Sequence, residues 1–345
     1  MQLKEWKPSA QQAGLDRLLE LASRVGRDPL LTQASTGNMS AKLDGVLWIK
    51  ASGKWMADAL REDIIVPLEL PAVLEYMRRN VDPSARFHGA SLETALHAAL
   101  PHRVVLHVHC VDTIAWAVRA DGPVELRRLL LGIPWQWVPY TPSGLALSRA
   151  MEHVLAANPG TDVFVLGNHG LVVAGETAES VEALLAEVRR RLAIRPRVAH
   201  PADYAALWEL SKNTSWDLPE DDTLHALGTD PITGGILAGG VLCPCQAIFS
   251  AAGTPAVFRP VPCPEPGEAW QRRYSGRPFL VIEGRGVLVS TSIAPAELAM
   301  VSGLAQVVQR LNKSAPLRYL SNAEIAGIPT EVADRYRQLA GTRRM

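Results

Sequence analysis

The chain has 345 residues, with 35 Lys+Arg balancing 35 Asp+Glu, so it lacks the basic excess that would neutralise a nucleic-acid backbone. At 48 % hydrophobic and 20 % charged residues it is too apolar for a disordered polymer, and its length suits one large domain or two. No run of about 18 apolar residues reads as a membrane span. The opening MQLKEWKPSAQQAG carries no apolar secretory segment, so the expected location is the cytoplasm. Of the 35 basic residues only seven are lysines, and three of these (Lys42, Lys50 and Lys54) fall close together. The four cysteines, Cys110, Cys243, Cys245 and Cys263, are expected to be reduced thiols.

In chain order, residues 9–26 read as an amphipathic helix, with Leu15, Leu18, Leu19, Leu21 and Ala22 on one face and Gly26 at its end. The β-branched and aromatic run 45–51 reads as a strand, flanked by Gly-containing turns at 35–38 and 52–53. Short helices are expected at 71–79 and 91–100, a strand at 104–109, helices at 112–118 and 124–131, and a strand at 135–140. A helix at 143–157 leads to a strand pair, 162–166 and 171–174, around Gly167-Asn168-His169-Gly170. The stripe Val181, Leu184, Leu185, Val188 and Leu192 marks a long helix over 176–194. Residues 195–222 carry three prolines among polar residues and read as a boundary, dividing the chain into 1–203 and a smaller α/β unit, 204–345. In that second part the expectations are a helix at 223–228, a Gly-rich turn at 233–240 and strands at 246–249, 256–258, 279–282 and 286–288. A helix over 295–311 follows.

The strongest chemical signal is His107-Val108-His109 in an apolar strand. Alternation puts both imidazoles on one face, within reach of a single cation. A lone core histidine is most often only packing, but His169, held in a sharp Gly-flanked turn, offers a third donor. Three protein ligands with an open position are what a catalytic zinc needs. Glu93 opens the helix leading into the histidine strand and could ligate the ion or carry a proton; the plain alternative is a carboxylate favoured by the helix dipole. His97 shares its face at i+4, as packing, as support for the ligands or in a direct role; there is no HExxH. The turns Thr36-Gly37-Asn38-Met39-Ser40 and Ala51-Ser52-Gly53-Lys54 have the composition of anion-binding nests, with Lys54 as a point charge for a phosphate or carboxylate.

Taken together, TGNMS, ASGK, Ser91-Leu92-Glu93 with a following Leu96-His97, HVH and NHG resemble the class II aldolase/adducin family across roughly residues 10–200. This is the group of metal-dependent L-fuculose-phosphate and rhamnulose-phosphate aldolases, with a related 4-epimerase. The resemblance implies a three-layer α/β/α fold with a mostly antiparallel central sheet. It implies a divalent metal, zinc first with Mn2+ or Co2+ as alternatives, on His107, His109 and His169, and Glu93 as acid/base. It implies substrate or phosphate contacts from Gly37, Asn38, Ser52, Gly53 and Ser91, and a homo-oligomer, tetrameric in relatives. Tyr140 is a candidate second acid; otherwise it is an ordinary strand-end tyrosine. Leu92 stands where relatives often carry a second serine, so an unphosphorylated or carboxylate substrate stays open. Residues beyond about 205 resemble the extension of longer rhamnulose-phosphate-type relatives.

The expected activity is therefore carbon–carbon lyase chemistry through a metal-stabilised enediolate on a small anionic hydroxy-keto or sugar-phosphate-like compound, with decarboxylation or 4-epimerisation served by the same chemistry. A non-catalytic, adducin-like binding protein is the alternative of another class. Cys243, Cys245 and Cys263 lack the paired CxxC spacing of a structural zinc site, and the 233–240 run lacks the GK[ST] of a P-loop. Cys110 is expected to be buried and inert.

Overall fold

The computed structural model describes residues 10–249, 255–265 and 267–328. In chain order its first part holds α1 (Ala10–Gly26), β1 (Asn38–Leu43), β2 (Val46–Lys50), β3 (Ile65–Glu69), α2 (Leu70–Arg78), α3 (Thr94–Ala99) and β4 (Val104–Val108). It continues with α4 (Val111–Ala117), α5 (Gly122–Leu129), β5 (Trp135–Val138), α6 (Leu145–Ala157), β6 (Val163–Leu166), β7 (Gly170–Gly175) and α7 (Ala178–Leu192). Seven strands form one sheet in the order β3-β2-β1-β4-β7-β6-β5. Every pairing is antiparallel except β5 with β6. The expected mostly antiparallel sheet is what forms.

Strand alternation sorts side chains between two helical layers. On β1, Ser40 reaches His97 of α3 and Lys42 Nζ reaches the carbonyl of Leu100, so the even-numbered residues face α3. Leu43 points the other way, towards Gly14 of α1. The α3 face carries two apolar clusters. One joins Leu96 and Leu100 with Val105, Phe164 and Val172 of the sheet and Leu147 and Met151 of α6; the other joins Leu47, Ile49 and Leu68 with Val73 and Met77 of α2. On the opposite face α1 and α7 lie side by side, tied at their exposed edges by Arg24 and Glu182 at 2.7 Å. The result is α/β/α.

One strand starts earlier than the sequence suggests, and another carries a proline. The strand β1 begins at Asn38, inside the polar segment that reads as a turn, because its small polar side chains face the site rather than an apolar core. The strand β3 contains Pro67, which argues against a strand; β3 is an edge strand, where a missing N–H is tolerated.

The described residues pack as two compact units: those up to 109 with 129–191, and 110–128 with those from 192 on. In the second unit α4 and α5 join α8 (Tyr204–Ser211), β8 (Trp216–Asp217), α9 (Ala226–Thr229), α10 (Pro231–Gly239), α11 (Pro244–Phe249), α12 (Glu268–Tyr274), β9 (Phe279–Ile282), β10 (Gly286–Ser290), α13 (Pro295–Gln309) and α14 (Asn322–Ala326). A three-stranded sheet runs β8-β10-β9. Within this unit the buried Asp112 of α4 accepts from Arg310 Nε at 2.7 Å and from the Ile194 amide at 3.0 Å.

Three expectations are corrected in this unit. The Gly-rich 233–240 run is helical: Pro231 occupies the first turn of α10 and the Asp230 carboxylate caps the Ile232 amide, and these start signals outweigh Gly234 and Gly235. Residues 246–249 belong to the helix α11, opened by Pro244, and 256–258 to a 3-10 turn opened by Pro255. Proline at the first helical position suits a helix start and is poor for a ladder, and here it outweighs the β-branched residues that follow. The segment that reads as a linker contains α8, capped by Asp203. Among the described residues no helix is long and apolar enough to cross a membrane.

Candidate metal centre

The centre sits on the α3 face of the seven-stranded sheet. Asn38 of β1 pairs with His107 of β4, which pairs with Val172 of β7. His109 follows β4 on the same side, two residues on. His169 comes from the β6–β7 turn, where Asn168 adopts φ +54°, a conformation asparagine tolerates better than most residues. Two glycines make room. A Cβ on Gly170 would lie 2.7 Å from the Val108 carbonyl and 3.1 Å from His107 Cε1. Gly37, at φ +67°, would put a Cβ 2.7 Å from the His107 carbonyl.

The three imidazoles converge. Their ring centroids lie 4.9, 5.0 and 5.2 Å apart in pairs, and one ligating nitrogen from each lies within 4.8 Å of the others. His107 Nδ1 donates to the Leu171 carbonyl at 3.0 Å, which leaves the Nε2 lone pair facing inward. His109 Nε2 is 3.1 Å from that atom. Nitrogens bound at 2.0–2.1 Å to one tetrahedral zinc stand roughly 3.3 Å apart, so this donor set fits such an ion. Burial pushes the His169 ring down to about 4 against the pull of Glu93, with His107 adding to it, and pushes His109 well below its ordinary value, with His107 and His169 adding to it. Neutral imidazole is the ligating form. Among the described residues these three form the cluster of His, Cys, Asp or Glu placed to hold an ion. Cys110, Cys243 and Cys245 are buried and Cys263 is exposed, none of the four in a disulfide.

Glu93 caps α3 with its carboxylate against the histidines: Oε2 lies 3.5 Å from His107 Nε2, and Oε1 3.5 Å from His169 Nε2. It is 5 % exposed. Burial acts to raise its pKa, but the His107 and His169 rings and the Asn38 amide outweigh that and hold it well below the usual carboxylate range. Asn38 Nδ2 donates to Oε2 at 2.8 Å and Ser143 Oγ to Oε1 at 3.1 Å. Each carboxylate oxygen therefore has its own donor.

His97 fixes the Asn38 amide. Its Nε2 pairs with Asn38 Oδ1, an atom that only accepts, so Nε2 carries the proton and Nδ1 accepts from Ser40 Oγ at 2.7 Å. A neutral ring is required, and burial pushes His97 down to about 3 against the pull of Glu93. The role is to hold the Asn38 amide toward Glu93; sequence spacing alone could not separate this from packing. The sign of the pH effect follows. The unfolded ring binds a proton near pH 6.5 and the folded one does not until about 3, so this contribution is whole above 6.5 and is lost as pH falls towards 3. Thermal melts from pH 7 to 4 should show a stability slope of up to about 1.4 kcal/mol per pH unit from this group. His97→Gln, which can keep both hydrogen bonds, should remove that part.

Of the expected anion-binding residues, Ser91 joins the cluster: its Oγ accepts from Asn38 Nδ2 at 3.3 Å and from the Glu93 amide at 3.2 Å. The Ser52-Gly53 turn lies beside the Ser91 segment, through a bridge between Ala51 and Ala90 and a 2.9 Å bond from the Ser52 amide to the Gly89 carbonyl. Lys54 is elsewhere, its ammonium 2.7 Å from Glu62 in an exposed pair. Tyr140 follows β5 and its backbone nitrogen packs against Gly167, beside the turn that carries His169.

Residues 16–195 match the profile of the class II aldolase and adducin N-terminal domain. The chain belongs to that family. It is 30 % identical over 189 residues to the uncharacterized oxidoreductase YuxG of Bacillus subtilis (strain 168), a match that takes in 48 % of this chain and 27 % of that one. This class II aldolase/adducin chain thus aligns with about a quarter of its curated relative. Among solved structures it is similar to the N-terminal class II aldolase domain of a conserved protein from Thermoplasma acidophilum, at 22 % identity and a TM-score of 0.45, covering 56 % of this chain and 98 % of that one. It is also similar to the L-fuculose-1-phosphate aldolase of Thermus thermophilus, at 20 % identity and a TM-score of 0.38, covering 51 % and 91 %.

Proposed function

We propose that this member of the class II aldolase/adducin family is a divalent-metal-dependent carbon–carbon lyase acting on a small anionic hydroxy-keto or sugar-phosphate-like compound. The observation that carries the reading is the buried convergence of His107, His109 and His169 with the Glu93 carboxylate against them. An adducin-like binding role leaves that arrangement without a purpose.

His107, His109 and His169 would hold the ion, with zinc the first assignment and Mn2+ or Co2+ the alternatives. When bound it supplies Lewis acidity to the substrate's oxygens and so stabilises an enediolate. Glu93, held by Asn38 and Ser143, moves the proton on or off the enediolate carbon. Tyr140 is the candidate acid for the oxygen on the aldehyde side. Gly37, Asn38, Ser52, Gly53 and Ser91 would receive the substrate's anionic end. The chemistry is assigned to residues 1–203, in a cytoplasmic homo-oligomer.

The test is metal analysis of the purified protein followed by a panel of aldol and β-keto-acid substrates, with and without a phosphate. Near-stoichiometric divalent metal and a chelator-sensitive cleavage are expected. A decarboxylase or epimerase would reveal itself as turnover of a β-keto acid or a 4-epimer. Absence of bound metal, or turnover untouched by chelation, overturns the reading.

A further inference from the structure

His225, in the second unit, is a buried polar side chain with one ring nitrogen left over. It ends the 3-10 turn Asp222–His225 and is 3 % exposed. Its Nδ1 accepts from the Val287 amide at 3.1 Å, so the proton of the neutral ring sits on Nε2. Nε2 is buried and has no hydrogen-bond partner among the described residues. A histidine kept only for packing gains nothing from a buried N–H left unpaired, which costs free energy. The backbone is shaped around this tautomer. Gly286, at φ +137°, lies so close that a Cβ there would stand 2.6 Å from His225 Nδ1. The two nitrogens of an imidazole point to nearly opposite sides of the ring. With Nδ1 turned to β10, the Nε2–H is directed away from that strand. Tyr204 of α8 packs against the ring, centroids 5.3 Å apart at 85°, and its hydroxyl donates to Asp222 Oδ1 at 2.8 Å. Tyr204 is 47 % exposed, and Trp208, one helical turn on and so on the same face, 57 %.

We propose that His225, Asp222, Tyr204 and Trp208 form a small-molecule site of the second unit that takes an uncharged monosaccharide. The class of ligand follows from the groups present. A ring that accepts at Nδ1 and carries its proton on Nε2 has no lone pair to give a metal, so the Nε2–H calls for a ligand oxygen. Asp222 is an acceptor and calls for a hydroxyl. The stretch 217–222 holds Asp217, Glu220, Asp221 and Asp222 and no base, which repels a phosphate or a carboxylate. Burial holds the His225 ring below its ordinary value against the pull of Asp222 and Asp221, so it offers an anion no charge. An uncharged molecule that presents both an oxygen acceptor and a hydroxyl donor describes a sugar. The faces of Tyr204 and Trp208 supply the flat apolar surface on which its C–H groups pack. Tyr204 is the piece that yields. Exposed side chains change rotamer on the ps–ns scale, and a sugar hydroxyl replaces the tyrosine hydroxyl as donor to Asp222 while a sugar oxygen takes the Nε2–H.

The experiment is saturation-transfer NMR on the metal-loaded full chain with glucose, galactose, mannose and their 6-phosphates, followed by calorimetry on each sugar that responds. At least one free sugar should bind, and its 6-phosphate should bind about tenfold more weakly or worse. No response from any of the three free sugars overturns the proposal, as does a 6-phosphate that binds as well as its parent. Asp222→Ala and Trp208→Ala, both at exposed positions, should each weaken binding about fivefold, and His225→Phe, which keeps a buried ring and removes the N–H, about tenfold. His107→Ala should bind the sugar as wild type does. Binding lost in His107→Ala and kept in Asp222→Ala assigns the sugar to the metal centre and overturns the site; binding untouched by all three site variants overturns it equally. Should His225→Phe fail to fold, the imidazole nitrogen signals of His225 in the wild type decide. The bound sugar should shift Nε2, and an unmoved Nε2 signal overturns the role of His225.

Discussion

Replacing Glu93 by Gln should leave the metal in place and lower turnover by about 10²- to 10⁴-fold, the span that loss of a positioned proton-transfer group covers. The substitution is close to isosteric, and the surroundings can accept it. The Gln amide oxygen can take the Asn38 Nδ2 bond now made to Oε2, and its NH2 can donate to Ser143 Oγ, which now donates to Oε1. What disappears is the charge and the capacity to bind a proton. His107 does not depend on Glu93 for its tautomer, since it is oriented by the Leu171 carbonyl. Metal stoichiometry and turnover should therefore separate. Metal analysis beside kcat reads this directly, and a fully active Glu93→Gln enzyme removes Glu93 from the mechanism. Asn38→Ala is the informative companion: the carboxylate stays but loses the donor on one oxygen, while His97 Nε2 loses its acceptor.

The parts legible in the sequence share a property: each is decided by local pattern. His107 and His109 share a face because strand periodicity is two. His169 stands out because glycines bracket it, and Gly170 does sit where a Cβ would strike Val108. Glu93 is placed by the helix it opens. The rest is decided across the sheet. That Asn38 is the hinge between His97 and Glu93 follows from β1 lying next to β4, and the start of β1 reads as a turn because Asn38 and Ser40 face the site. Ser143 arrives from beyond β5, fifty residues along the chain from the carboxylate it meets. Lys50 and Lys54 look alike in sequence. Only the fold turns one ammonium inward to three carbonyls and the other outward to Glu62. In the C-terminal part, Asp230-Pro231 carries a helix-start signal that glycine content conceals.

His107→Ala should remove metal and activity together. The ring is fully buried, its Nε2 is the donor nearest His109, and two imidazoles with the Glu93 carboxylate 3.5 Å from His169 are a poor substitute for three. Loss of a partner behind a ligand already costs roughly 10- to 100-fold in affinity, so loss of the ligand itself should exceed that. The substitution also opens a buried cavity and strips the Leu171 carbonyl of its side-chain donor, so some loss of stability is expected from packing alone. Linkage separates the two effects. A metal that binds only the folded state, present at about 100 times its Kd, stabilises it by about 2.7 kcal/mol. Added zinc should therefore raise the melting temperature of chelator-stripped wild type and leave that of stripped His107→Ala unmoved. The two stripped proteins should differ only by the packing term. A variant that still gains stability from zinc as the wild type does would show that the ion is held elsewhere, and the assignment of His107, His109 and His169 as its ligands would fall.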